Sequence, residues 1–155
     1  MPTDLSADGI RAFHLVQVSG QNCPDPVASF DQTPFSKSVQ GQLKSAGFKH
    51  PTAIQSQGWP VVCAGRDCIA VAKTGSGKTV AYLLPAIMHI QKINSMNNSM
   101  TPSVLILAPT RELAIQIEVE ARKFTQTGVR AVCVYGGVPK GPQVDKRNIP
   151  PVIYY

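Results

Sequence analysis

The stretch "AVAKTGSGKTVAY", residues 70–82, decides how the rest of the sequence is read. An apolar run stops at Lys73, a bend containing Gly75 and Gly77 follows, and Lys78 and Thr79 open a longer apolar-rich segment. Glycines let the backbone turn tightly and aim successive N–H groups at one point. A helix starting there adds its own unpaired N–H groups and positive dipole end. Thr74, Gly75, Ser76 and Gly77 are therefore candidates to wrap the phosphates of a nucleotide. Lys78 would reach the β- and γ-phosphates and Thr79 would ligate magnesium. Ala72 stands where the usual pattern begins with glycine. The loop does not choose a reaction by itself, because many classes of nucleotide-using protein carry it.

Outward from the loop, strands and helices alternate. "DCIAVAK" (67–73) reads as a strand, residues 77–93 as a helix, and "SVLILAP" (103–109) as a second, buried strand. "TRELAIQIEVEARKF" (110–124) reads as a helix with Leu113, Ile117, Ala121 and Phe124 on one stripe, and "VRAVCVY" (129–135) as a third strand. The polar "NSMNNSMTPS" (94–103) is a loop. This order implies an α/β fold with a parallel sheet and right-handed crossovers. Upstream, a helix is expected over Ser36–Ser45, with Val39 and Leu43 on one face and Gly47 ending it. Thr52 reads as the N-cap of another helix to about Val62, interrupted near Pro60. Residues 1–35, with four prolines, read as an irregular leader with one short strand at "FHLVQV" (13–18).

Composition bounds the function. At 43% hydrophobic and 15% charged, the 155 residues suit one globular domain rather than a disordered chain. No apolar run approaches the roughly 18 residues of a membrane span, and the first residues show no signal-peptide pattern. Cys23, Cys63, Cys68 and Cys133 lack metal-site spacing and read as reduced thiols. The formal charge of +6 favours polyanionic partners. From Ala121 to Arg147 the basic residues are Arg122, Lys123, Arg130, Lys140, Lys146 and Arg147, against the single acid Asp145.

Further motifs carry a family resemblance. "GFKHPTAIQ" (47–55) resembles the Q motif of DEAD-box RNA helicases, with Phe30 where that family has an isolated aromatic. "AKTGSGKT" (72–79) resembles its motif I, "PTRELAIQ" (109–116) its motif Ia, and "YGG" (135–137) its glycine doublet. "QGWP" (57–60), "HPTAIQSQ" (50–57) and "YGGVPKGPQ" (135–143) are similar to a nuclear-type subgroup. The resemblance implies a partial RecA-like P-loop domain, ATP and magnesium as cofactors, and RNA as partner. It implies that Gln55 reads adenine and Phe48 stacks on it; the plainer alternatives are a solvated glutamine and a core aromatic. It implies that Pro109, Thr110, Arg111, Gly136 and Gly137 hold an RNA backbone through sequence-independent contacts. For Arg111 the alternative is an ion pair with a nearby acid. The nucleus is the implied location, the cytoplasm the alternative.

The resemblance runs from about Phe30 to Gln143. The expected layout is a leader over 1–35, the N-terminal portion of a RecA-like domain over 36–143 and a divergent tail over 144–155. No D-E-A-D tetrad occurs, and after Glu120 the only carboxylate is Asp145, so no acidic pair is available for magnesium and water. The tail "VDKRNIPPVIYY" reads as an early stop after a changed frame or alternative splicing. In the family's sheet, the strands bearing the DEAD and SAT motifs lie between those of motifs I and Ia. Without them the strands here are expected to lack partners and to expose apolar edges, leaving the chain marginally stable or aggregation-prone. Two other readings stay open: a non-catalytic binding module, and an unrelated P-loop kinase.

Overall fold

The computed structural model describes residues 4–96, 102–124, 127–139, 141, 143, 153 and 154. In order they form α1 (Ala7–His14), a 3₁₀ turn (Phe30–Gln32), α2 (Lys37–Ser45), α3 (Ala53–Cys63), α4 (Lys78–Met96), β1 (Val104–Leu105), α5 (Arg111–Arg122) and β2 (Ile153–Tyr154). The chain divides into two compact units, Met1–Pro85 and Ala86–Tyr155, so α4 starts in one and ends in the other. None of these helices is long and apolar enough to cross a membrane. The expected loop at 94–103 is shortened by α4, and its residues 97–101 lie outside the described residues.

The first unit is built around α3. Trp59 is fully buried, with the Phe35 ring edge-on at 5.0 Å and the Phe30 ring tilted at 6.1 Å. Val39 and Leu43 of α2 are buried, as their spacing requires. Helix α2 starts at Ser36, whose hydroxyl accepts the Val39 N–H. It ends in a paired cap: Gly47 N–H donates to the Lys44 carbonyl and Phe48 N–H to that of Leu43, both at 3.0 Å. That geometry needs the positive φ of 87° that Gly47 supplies.

Pro60 lies inside α3 rather than ending it. A proline has no N–H, so the Ser56 carbonyl loses its helical partner. The Val27 N–H takes that place at 2.9 Å, and the Ser56 hydroxyl donates back to the Val27 carbonyl. Proline thus opens a position on the helix through which the leader is stitched to it.

The leader differs from expectation. Instead of a strand at residues 13–18, Ala7–His14 is helical, capped by the Ser6 hydroxyl on Gly9 N–H and closed by Leu15 at φ 53°. Arg11 holds it down: Nε donates to Gln57 Oε1 at 2.9 Å and a second nitrogen to the Pro24 carbonyl at 3.2 Å. Its pairs with Asp8 and Asp25, at 3.5 and 3.9 Å, face solvent and add little. A strand would have needed a neighbour, whereas this helix needs only α3.

In the second unit, Ile87 and Ile90 of α4 and Ala114, Ile117, Ala121 and Phe124 are buried. The stripe of α5 is therefore rotated from the expected one, with Ala114 inside and Leu113 at 37% exposure. Gln91 Nε2 reaches the Thr127 carbonyl at 3.0 Å.

The sheet departs furthest from the sequence reading. Among the described residues the only ladder is parallel, Val104 with Ile153 and Leu105 with Tyr154. Residues 67–73 and 129–135, both expected as strands, form none. Strand formation depends on cross-strand neighbours more than on local preference. Ile69 and Val71 are 97% and 93% exposed, and Leu107 is 80% exposed. Of the divergent tail at 144–155, all but Ile153 and Tyr154 lies outside the described residues.

Truncating the fully buried Trp59 to alanine should cost about 3–5 kcal/mol, most of a small unit's stability. Urea titration followed by far-ultraviolet circular dichroism should show the midpoint fall or the transition vanish.

Candidate functional site

The loop from Lys73 to Lys78 lies in the first unit beside the start of α3. Gly75 and Gly77 have φ of 73° and 86°, the left-handed backbone that glycine adopts freely. Gly77 is also crowded. A Cβ placed on it would meet Gln55 Nε2 at 2.6 Å and Thr52 Oγ1 at 3.1 Å, whereas one on Gly75 would meet nothing within 4 Å.

Gln55 joins the two segments. Fully buried, it accepts the Thr52 N–H on Oε1 at 3.1 Å and donates from Nε2 to the Gly77 carbonyl at 3.2 Å. One amide hydrogen and one carbonyl lone pair remain uncommitted. Two further polar atoms, Thr52 Oγ1 and Ser76 Oγ, are buried with no partner. Groups of this kind are costly to bury empty-handed and mark a place for a ligand or water.

Lys78 lies back along the loop, its Nζ donating to the carbonyls of Ala72 and Lys73, the latter at 2.7 Å. Among the described residues no carboxylate pairs with it, so its charge is free to turn toward a phosphate. Thr79 hydrogen-bonds the Tyr82 phenol; burial pushes the Tyr82 pKa up and that bond pulls it partly back. Thr74 is exposed and Phe48 half-buried. The cradle therefore fits an anion, with glycine backbone, an ammonium bonded only to loop carbonyls and two orphan hydroxyls. For magnesium this chain's described site supplies the Thr79 hydroxyl and no carboxylate.

The residues considered for RNA lie in the second unit. Thr110 caps α5, its hydroxyl accepting the Leu113 N–H at 3.3 Å. Pro109, Thr110, Arg111, Gly136 and Gly137 are all exposed, and Gly137 has φ 80°. The Arg111 guanidinium stands 4.4 Å from the centre of the Tyr135 ring, a cation–π contact rather than the ion pair considered as its alternative. That contact brings the start of α5 beside the residue preceding the glycine doublet. Tyr135 is also held through its backbone, N–H to Gln143 Oε1 at 3.0 Å and carbonyl to Gln143 Nε2 at 3.3 Å. Sequence reasoning passed over Tyr135; an aromatic directly before two glycines, in a basic stretch, was the available signal. Two of the surplus basic residues pair with acids of α5, Arg122 with Glu118 at 3.0 Å and Lys123 with Glu120 at 2.6 Å. Arg130 is exposed, whereas Lys140, Lys146 and Arg147 lie outside the described residues.

The sequence pattern of the DEAD/DEAH box helicases matches residues 52–155, and the chain belongs to that family. It is similar to the ATP-dependent RNA helicase dbp2 of Aspergillus clavatus, with 52% identity over 138 residues that cover 88% of this chain and 25% of that protein. The protein of the same name from Neurospora crassa is 53% identical over 138 residues, with the same coverage. The chain thus spans about a quarter of the length of these curated relatives. Among solved structures it is similar to the RNA helicase Prp28 of Chaetomium thermophilum bound to ADP, with a TM-score of 0.82 and 36% identity over 94% of this chain and 37% of that one. A DEAD box protein of Methanococcus jannaschii matches with a TM-score of 0.72 and 28% identity, over 83% of this chain and 34% of that one. The fold is a partial RecA-like P-loop α/β domain.

The two loop glycines should respond differently to alanine. At Gly75 only the left-handed backbone is penalised, by about 1–2 kcal/mol. At Gly77 the same cost is joined by a collision with Gln55, so Gly77→Ala should lower the urea midpoint clearly more than Gly75→Ala.

Proposed function

We propose that this chain supplies the ATP-binding face, and part of the RNA path, of an ATP-dependent RNA helicase. The observation that carries the reading is the Gln55 amide, bonded at once to Thr52 and to the Gly77 carbonyl of the phosphate loop. Its spare hydrogen and spare lone pair match the acceptor and donor on one edge of adenine, a pairing glutamine makes readily. Guanine presents acceptors in both corresponding places, which supports a preference for ATP. Phe48, half-buried at the end of the α2 cap, is the aromatic we assign to the base.

In this reading Thr74, Gly75, Ser76 and Gly77 line the phosphates, Lys78 swings from the Ala72 and Lys73 carbonyls onto them, and Thr79 holds magnesium. Thr110, Arg111, Gly136 and Gly137 contact RNA phosphates, with Arg111 oriented by Tyr135. The nucleus is the location we favour, on the subgroup likeness of residues 50–60 and 135–143. A specific observation favours binding without turnover by these residues alone: they contain no D-E-A-D tetrad, and after Glu120 only Asp145 is acidic.

Thermal unfolding with magnesium and ATP at about 100 times its dissociation constant should show about 2.7 kcal/mol of added stability. Lys78→Ala should abolish the shift, and GTP should produce a smaller one. An equal shift in wild type and Lys78→Ala contradicts the reading. For RNA, Arg111→Ala should weaken binding of unrelated sequences alike and reduce the slope of log affinity against log salt by about 1.

A further inference from the structure

The turn that carries the glycine doublet is closed on itself by one side chain. Gln143 Oε1 accepts the Tyr135 N–H at 3.0 Å, and Nε2 donates to the Tyr135 carbonyl at 3.3 Å. That is the two-way exchange by which paired residues join across an antiparallel ladder, made here by an amide side chain. The second Nε2 hydrogen reaches the Pro139 carbonyl at a longer 3.4 Å. One amide thus holds the residue before Gly136 and Gly137 and the second residue after them.

Between those anchors both glycines are exposed, and among the described residues neither donates its N–H to a backbone carbonyl. Glycine loses more freedom on ordering than any other residue. A ligand that had to order two in succession would bind more weakly than one meeting them already fixed. Gln143 also reaches Arg111 through Tyr135, because the ring 4.4 Å from the guanidinium belongs to the residue that Gln143 pins. We propose, on the reading of Arg111 and the doublet as RNA contacts, that Gln143 is the positioning residue of that contact. Uncharged and half-buried, it acts by ordering residues 135–139 before RNA arrives. The two glycine N–H groups and the Arg111 guanidinium then meet the RNA backbone together.

Fluorescence anisotropy of labelled RNAs of unrelated sequence, titrated with the 155-residue chain over a range of salt, tests this. Gln143→Met keeps the side-chain length and removes all three bonds. It should weaken binding of every RNA about tenfold, the worth of a pair of net hydrogen bonds. The slope of log affinity against log salt should stay as it is, because no charge is lost. Arg111→Ala, by contrast, should lower that slope by about 1. Without RNA, exchange of the Tyr135 amide should quicken in Gln143→Met while the urea midpoint holds. Gln143→Glu keeps the acceptor for the Tyr135 N–H and loses the donor to both carbonyls, so it should leave that amide protected and still weaken RNA binding. For Gln143→Met, unchanged affinity, a slope that falls, a falling urea midpoint or an unchanged Tyr135 exchange rate overturns the proposal. So does a Gln143→Glu protein that binds like wild type. If Arg111→Ala weakens binding in any of those cases, only the role of Gln143 falls; if Arg111→Ala binds like wild type, the RNA reading falls with it.

Discussion

The first unit depends on a single buried amide. Gln55 closes the first turn of α3 onto Thr52 and, from its other end, fixes the Gly77 carbonyl at the mouth of the phosphate loop. A neutral side chain does this at low cost, because both ends are hydrogen-bonded and no charge is buried. Removing it would leave the Thr52 N–H without this acceptor and the Gly77 carbonyl with only the Ala81 N–H. The close approach it enforces means that a Cβ at position 77 would have to displace the amide.

The same helix turn organises the rest of the unit. Successive residues project about 100° apart around a helix, so Gln55, Ser56 and Gln57 face three directions while all remain buried. Gln55 meets the phosphate loop, Ser56 the leader at Val27, and Gln57 both Arg11 and the Pro24 carbonyl. Trp59 turns toward Phe30 and Phe35. The phosphate loop and the N-terminal leader are therefore both attached to one helix.

What could be read from the sequence follows the range of the interactions. The phosphate loop, the Gly47 cap and the faces of α2 rest on contacts within a few residues, and local pattern sufficed. The signals for α1 were present in Ser6 as a cap and Asp8 in the first turn, but the contacts that hold it, Arg11 to Gln57 and Pro24, are not local. Pro60 reads as an interruption because the residue that replaces its missing bond, Val27, is distant in sequence. Residues 67–73 and 129–135 have strand composition, yet a strand exists only where a neighbour completes its hydrogen bonds, and among the described residues none does. The Arg111–Tyr135 contact could not be foreseen from either residue alone.

Amide hydrogen exchange with and without ATP tests most directly whether Gln55 binds the turn at Thr52–Gln55 and the phosphate loop into one element. The account predicts that ATP slows exchange at Thr52–Gln55 and at Gly75–Thr79 together, and that Gln55→Ala leaves only the loop protected. Protection confined to the loop in the wild-type chain would contradict it.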